Sequence, residues 1–409
     1  MSNNSISIYK FKPFEFTVLK KNLDPQQCPL VRLGHRVVCN TAYLLSIGGF
    51  NSDKDDDRGQ GETSIMQEIW MYCFDLGEWK SIKCQNIPHK LASSPVSLCG
   101  NIIITHGGTD VPSGDYCSNR MYVGNVANAF KESGMKFKEI IGSGDVPIPL
   151  YGQGVVMDGK YIYSIGGTTG IGYEMDVHRF DLRTNKWELL HKSLGEDEDA
   201  ESRYLHDVVF YKGSIYIFGG TGEDEENIAV EYGFSDIDMF DVANKQWHLL
   251  PTKPDHKEPE PGYPINRCWH SCVQCPEKSN LVYLCGGLGL DYQSFNDVWR
   301  IDIDTMQWEK ITNCIMPLPV YLHSTAVTPS GRMCCYGGIV TERSDLDPAN
   351  RSNDITSAWI TIPKLKVICW EAMIHYFKEQ MFKSSDECLK KIGIPQEFYE
   401  RIIEARRIC

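Results

Sequence analysis

The 409-residue chain contains no run of about 18 apolar residues, which excludes a membrane-spanning helix. Its start, MSNNSISIYKFK, lacks a basic stretch followed by an apolar core and a small-residue cleavage site, so no secretory signal is expected. Cations are scarce: 41 Lys and Arg stand against 54 Asp and Glu, for a net charge of −13. A nucleic-acid surface needs a basic face to neutralise phosphates, and none is visible. A phosphate-cradling glycine loop of the P-loop type is also missing. The sixteen cysteines follow no regular framework. Pairs such as Cys334-Cys335 sit in apolar, strand-like contexts where cysteine acts as a small buried hydrophobe. A reducing compartment, cytosol or nucleus, is expected. The acidic runs near Asp55, Glu198 and Asp224 read as solvated loops.

What the chain does have is a repeat. Glycine pairs close apolar segments at Gly48-Gly49, Gly107-Gly108, Gly166-Gly167, Gly219-Gly220, Gly286-Gly287 and Gly337-Gly338, at intervals of 59, 59, 53, 67 and 51 residues. A polar loop follows most pairs, then a strand opening on an acidic residue, as in DVHRFDL and DVWRIDI. Next comes an aromatic: Trp79, Phe137, Trp187, Trp247 or Trp308. Paired glycines permit close approach and turn conformations, and a late Trp offers an apolar plate between neighbouring sheets. The pattern resembles the kelch repeat, whose period is about 50 residues and whose blades form a β-propeller. The expected fold is all-β: a six-bladed kelch propeller over residues 14–362, after an N-terminal extension, 1–13, and before a short helical segment, 363–409. The sixth unit lacks a fourth strand, and FEFTVLKK, Phe14 to Lys21, is expected to supply it and lock the ring.

In antiparallel four-stranded blades the loop between the second and third strands and the loop between blades emerge on one side. Here those loops are long: 50–67, 109–119, 168–174, 221–235, 251–266, 288–296 and 339–353. Long loops on one rim of a rigid scaffold are where recognition is usually found. At the start of each leading strand a recurrent position carries cationic or aromatic residues. Arg203 and Arg267 are expected to meet a peptide carboxylate, since guanidinium matches it with two parallel hydrogen bonds. Arg32 and Ser271 stand beside them, with Tyr151, Tyr204, Trp269 and Tyr321 as walls. A second reading of the Arg-x-x-His pattern stands next to this one, that it ties adjacent blades together. Cys268, Cys272 and Cys275 with His270 fall on a strand whose alternation separates them, so they read as packed thiols, and no metal or cofactor is expected. The histidines recur with the repeat, so no catalytic set stands apart from scaffold, and the chain is read as a non-enzyme.

The last 45 residues change character. Leu365, Cys369 and Met373 stack at four-residue steps on a helical stripe. Ser385 or Asp386 can cap a second helix, Gly393 can end it, and Pro395 can open a third. Ile394, Phe398 and Ile402 follow at four-residue steps. These segments resemble the box by which substrate receptors bind Elongin C and cullin-2. Leu365, Cys369 and Met373 match its first part, and Ile394, Pro395, Phe398 and Ile402 its second. Lys364 stands where a small residue often precedes the leucine. The whole chain resembles the kelch-domain substrate receptors of cullin-2 RING ubiquitin ligases. The resemblance implies a non-catalytic adaptor that holds substrate C-terminal tails in the propeller. It would recruit Elongin B, Elongin C, and cullin-2 with its RING protein. Relatives that read diglycine tails carry arginines in a loop after a glycine pair. Loop 221–235 has none, so the exact tail does not carry over. The alternatives are a kelch scaffold that binds other partners, and an oxidoreductase or lyase on the same fold.

Overall fold

The computed structural model of the chain describes residues 8–20, 24–51, 65–110, 114–224, 226–341 and 350–408. The acidic run near Asp55, the middles of loops 50–67 and 339–353, three residues of loop 109–119 and residues 1–7 lie outside the described residues. Six sheets form the propeller. Blade 1 runs Arg36–Cys39, Tyr43–Ile47, Ile69–Cys73, Glu78–Ile82 from the inside outwards. Blade 2 is Val96–Cys99, Ile102–His106, Met121–Asn125, Lys138–Ile140. Blade 3 is Gly154–Met157, Tyr161–Thr168, Tyr173–Asp181, Lys186–His191, with Ser143–Gly144 added at its edge. Blade 4 is Asp207–Tyr211, Ser214–Phe218, Asp236–Asp241, Gln246–Pro251. Blade 5 is Ser271–Gln274, Leu281–Cys285, Val298–Asp302, Gln307–Lys310.

Blade 6 takes three strands from the end of the repeat, Ser324–Val327, Arg332–Tyr336 and Ile355–Trp359, and its fourth, Thr17–Val18, from the start of the chain. Thr17 faces Ser357 and Val18 faces Thr356. Backbone bonds from Phe14 N–H to Trp359 and from Leu19 N–H to Ile355 extend the pairing. The expected closure is therefore found, and it removes a free sheet edge that would invite other strands.

Each blade packs on its predecessor through the late aromatic. Trp79 fills the seam of blades 6 and 1, Phe137 that of 1 and 2, Trp187 that of 2 and 3, Trp247 that of 3 and 4, and Trp308 that of 4 and 5. The closing strand brings its own plates, since Phe14 and Phe16 pack into the seam of blades 5 and 6. The glycine pairs serve the same seams. Gly337 has φ +69°, and a Cβ there would lie 2.5 Å from the His35 ring of the next blade. Any larger residue would push that ring out of the seam.

The chain ends in three helices, α1 (Leu365–Lys383), α2 (Asp386–Lys391) and α3 (Gln396–Ile408). Ser385 Oγ caps α2 by accepting from Cys388 N–H, and Gly393 ends it at φ +75°. The helices are seated on the propeller by a buried carboxylate. Asp75, in the turn between the third and fourth strands of blade 1, accepts from Trp370 Nε1 at 2.9 Å and Arg401 Nη2 at 2.6 Å. Arg332 of blade 6 pairs with Glu371 at 3.1 Å, and Lys378 donates to Leu76 O. All of these propeller contacts belong to the short-turn face, so the helical tail and the long loops occupy opposite faces. Among the described residues no helix is long and apolar enough to cross a membrane.

Candidate functional site

The long-loop face opens onto the central channel, and six equivalent segments build its mouth. The four residues before each leading strand align as Arg32-Leu33-Gly34-His35, Leu91-Ala92-Ser93-Ser94, Leu150-Tyr151-Gly152-Gln153, Arg203-Tyr204-Leu205-His206, Arg267-Cys268-Trp269-His270 and Val320-Tyr321-Leu322-His323. The four positions do different work.

At the first position, Arg32 and Arg267 are fully buried and Arg203 is 5% exposed. Each is spent within its own blade. Arg32 meets Glu68 at 2.5 Å, Arg203 meets Asp238 at 2.5 Å, and Arg267 meets both oxygens of Asp297 at 2.6 and 3.2 Å. Their Nε atoms donate to the carbonyls of Leu30, Glu201 and Ile265. Tyr232 and Phe295 cover the guanidinium planes of Arg203 and Arg267 at 3.6 and 3.7 Å. This corrects the expectation that Arg203 and Arg267 meet a peptide carboxylate with Arg32 beside them. Their donors are pointed at an acid of the same blade, just before the third strand for Arg32 and Arg267 and two residues into it for Arg203, and burial keeps them from the mouth.

The second and third positions form a collar. Gly34, Ser93, Gly152, Leu205, Trp269 and Leu322 all have left-handed backbone, with φ of 59°, 50°, 65°, 57°, 53° and 55°. Neighbours are joined by backbone bonds, Ser93 N–H to Gly34, Leu205 N–H to Gly152 and Leu322 N–H to Trp269. Four of the six are not glycine, and a non-glycine residue held there costs on the order of 1–3 kcal/mol, the kind of strain that clusters at ligand clamps. The expected aromatic walls stand on this collar in two groups. Tyr204 lies 6.1 Å from Tyr151 and 5.2 Å from Tyr173, ring to ring. Trp269 lies 5.9 Å from Tyr321. Tyr173 belongs to the first group although the sequence did not single it out.

The fourth position ties seams. His35 Nε2 lies 3.0 Å from Tyr336 O of blade 6, and Gln153 Nε2 donates to His106 O of blade 2 at 3.5 Å. Burial, then the charge of Arg32, pushes His35 down to about 3. Burial, then Arg203, does the same to His206, and burial, then Arg267, to His270, each to about 3. The second reading of Arg-x-x-His thus holds for His35, while the arginines brace single blades.

The next residue of each segment, Arg36, Pro95, Gly154, Asp207, Ser271 or Ser324, lines a narrow channel of about 130 Å³. Ser271 Oγ is turned to His323 O at 3.4 Å. Arg36 and Asp207 belong to opposite blades. Asp207 is pushed up by burial against the pull of Arg36, and its Oδ2 accepts from Cys272 N–H at 2.6 Å. Arg36 was missed because it stands one residue beyond the Arg-x-x-His motif; the signal lay in aligning the residue after the histidine across six units. Beside the mouth, between blades 4 and 5, a groove of about 550 Å³ is lined by Tyr263, Pro264, Ile265 and Leu290 with the acids Glu231 and Asp291.

On the opposite face, the two sets of tail residues differ. Leu365 is 73% exposed, Cys369 is exposed, and Met373 is 37% exposed. Phe398 and Ile402 are buried, with the Phe398 ring stacked 4.5 Å from Trp370. They hold the three helices together, and of the second set only Ile394 and Pro395 reach the surface.

Comparison with known proteins accounts for the propeller. Residues 3–220 match the family described as the KLHDC2/KLHL20/DRC7 Kelch-repeats domain, and residues 162–359 match the Attractin/LZTR1 beta-propeller. The chain is 33% identical to the Kelch domain-containing protein 10 homolog of Drosophila melanogaster, over 98% of this chain and 67% of that one. It is 30% identical to Kelch domain-containing protein 10 of Homo sapiens, over 92% and 84%. Kelch domain-containing protein 2 of Bos taurus is 22% identical over 89% of each. With the repeat, the six closed blades and these matches together, the chain belongs to the kelch β-propeller family as a homologue of Kelch domain-containing protein 10, a protein-interaction module.

Proposed function

We propose that the chain is the substrate-recognition subunit of a cullin-2 RING ubiquitin ligase, working in the cytoplasm or nucleus. The propeller mouth holds the C-terminal tail of a substrate, while α1 holds Elongin C with Elongin B, beside cullin-2 and its RING protein. The observation that carries this reading is the outer face of α1. Leu365, Cys369 and Met373 stack there at four-residue steps and remain open to solvent on a helix whose other side is anchored through Trp370. An apolar stripe of this kind suits a helix-in-groove contact. Cullin-2 is left the turn at Ile394 and Pro395, since Phe398 and Ile402 are enclosed.

At the other face the tail's carboxylate is met by Arg36, the cation lining the channel, between walls of Tyr204 and Trp269. A channel of about 130 Å³ takes little more than a terminal residue, which favours a small one. Two measurements test the two ends. In co-purification with Elongin B, Elongin C and cullin-2, the wild type forms the complex. Leu365→Ala with Cys369→Ala loses it at an unchanged melting temperature. If the wild type captures none of them, the ligase reading gives way to a kelch scaffold. Against a library of C-terminal peptides, Arg36→Ala weakens the selected ligand by about 2–5 kcal/mol, roughly thirty-fold or more. Equal binding of the same peptide with its C-terminus amidated would sink the carboxylate contact.

A further inference from the structure

The seam between blades 5 and 6 differs from that between blades 6 and 1 in what its histidine meets. At the seam of blades 6 and 1 the ring nitrogen of His35 faces a backbone carbonyl. At the seam of blades 5 and 6 the ring of His323 faces a thiol: His323 Nε2 lies 3.7 Å from Cys285 Sγ. Cys335, on the second strand of blade 6, completes the group, and the three donor atoms all lie within 4.8 Å of one another. All three residues are buried, and both cysteines are free thiols.

Their spacing suits one ion. Zinc binds sulfur at about 2.3 Å and imidazole nitrogen at about 2.0–2.1 Å, so tetrahedral ligands sit about 3.6 Å apart for S and N, and about 3.8 Å for two sulfurs. Thr325 Oγ1 adjoins both thiols, 3.8 Å from Cys285 Sγ and 3.2 Å from Cys335 Sγ. Two thiols and an imidazole form a soft donor set of the kind that selects zinc over magnesium or calcium. A small cavity of about 60 Å³ adjoins His323 and Cys335 and gives an ion a way in.

We propose that Cys285, His323 and Cys335 bind a structural zinc ion that clamps blade 5 to blade 6. On binding, the two thiols release their protons to solvent, and two Zn–S bonds and one Zn–N bond replace bonds from the hydrated ion to water, which leaves for solvent. No oxidant is involved. The placement has a physical logic, because blade 6 is completed only by the short Thr17–Val18 strand and is the blade most in need of a second fastening.

The test uses the full chain, purified under reducing conditions without chelator. The expected result is about one zinc per chain by mass spectrometry of the metal. The metal-free chain, titrated with Co²⁺, should develop a near-ultraviolet thiolate-to-cobalt band. Cys285→Ser and Cys335→Ser should each lose the band or weaken Co²⁺ binding by about tenfold or more. Cys334→Ser should keep it, since that side chain packs into the seam of blades 6 and 1. A folded wild type that holds no zinc and gives no cobalt band overturns the proposal. So does a Cys285–Cys335 disulfide in protein handled without reductant, or zinc retained undiminished by both serine variants. Should the serine variants fail to fold, the wild-type cobalt titration decides alone.

Discussion

Replacing Arg267 by alanine will cost about 3–5 kcal/mol of folding free energy, read as a lower midpoint in chemical denaturation, because it strands a carboxylate in the wall of blade 5. Arg267 has no exposed surface and gives Asp297 two hydrogen bonds, Gly286 O one and Ile265 O one. Asp297 would keep only Trp299 Nε1, at 2.7 Å, among these partners. The pair carries its own acid sensitivity. Burial raises Asp297, but the charge and hydrogen bonds of Arg267 outweigh it and hold the carboxyl below its ordinary 3.8. The stability it confers is therefore complete above that value and is lost as pH falls through the lower folded one. Removing both charges, with Arg267→Met and Asp297→Leu, should recover much of the loss, since an apolar pair of similar volume avoids the desolvation cost. If Arg267→Ala instead folds normally and loses only peptide binding, the arginine faces the ligand after all.

The second large effect is a loss of stability under mild acid. His35, His206 and His270 have folded pKa values of about 3, and His106 of about 4, all lowered first by burial. Each is neutral in the seam and takes up a proton only when unfolded, near 6.5. Folding stability is thus fully present above about pH 6.5 and falls between there and the folded values, where the unfolded chain binds more protons. At pH 5 each such histidine costs about 2 kcal/mol, so four together make the propeller markedly acid-labile. Denaturation at pH 7.5, 6 and 5 reads the slope. Blade 3 carries Gln153 at this place in the repeat, bonded to His106 O, so His206→Gln should fold and flatten the slope by one proton. A stability that is level from pH 7.5 to 5 would show that these rings are protonated or hydrated in the folded state.

Much of the fold is legible in the sequence because the repeat encodes seams. A glycine pair, a late tryptophan and an alternating strand each serve contact with the adjoining blade, and they recur in phase. The closing strand was legible for a different reason: blade 6 lacked a partner and residues 14–21 lacked a unit. The site was less legible. An arginine before a leading strand and an acid opening the third strand were both visible, but nothing in linear spacing shows that they pair. Arg32 and Glu68 are 36 residues apart, and Arg267 and Asp297 are 30 apart. Phe398 and Ile402 share the four-residue spacing of the Leu365 stripe, and periodicity cannot tell an enclosed stripe from an open one. Cys285 and His323, 38 residues apart, meet only because consecutive blades bring equivalent positions to one seam.

Ring closure also governs how the chain is made. Thr17 and its partner Ser357 are 340 residues apart. A ribosome adding about 5–20 residues per second needs roughly 17–70 s to cover that distance. During that interval the first strand waits without a sheet, and the blades already formed present an open flank on either side of the gap. Every product terminated before Ile355–Trp359 keeps both flanks exposed, whereas one that ends within the helices already holds all four strands of blade 6. Concealment of the open edges therefore waits on the last strand of the propeller and not on the helices that follow it.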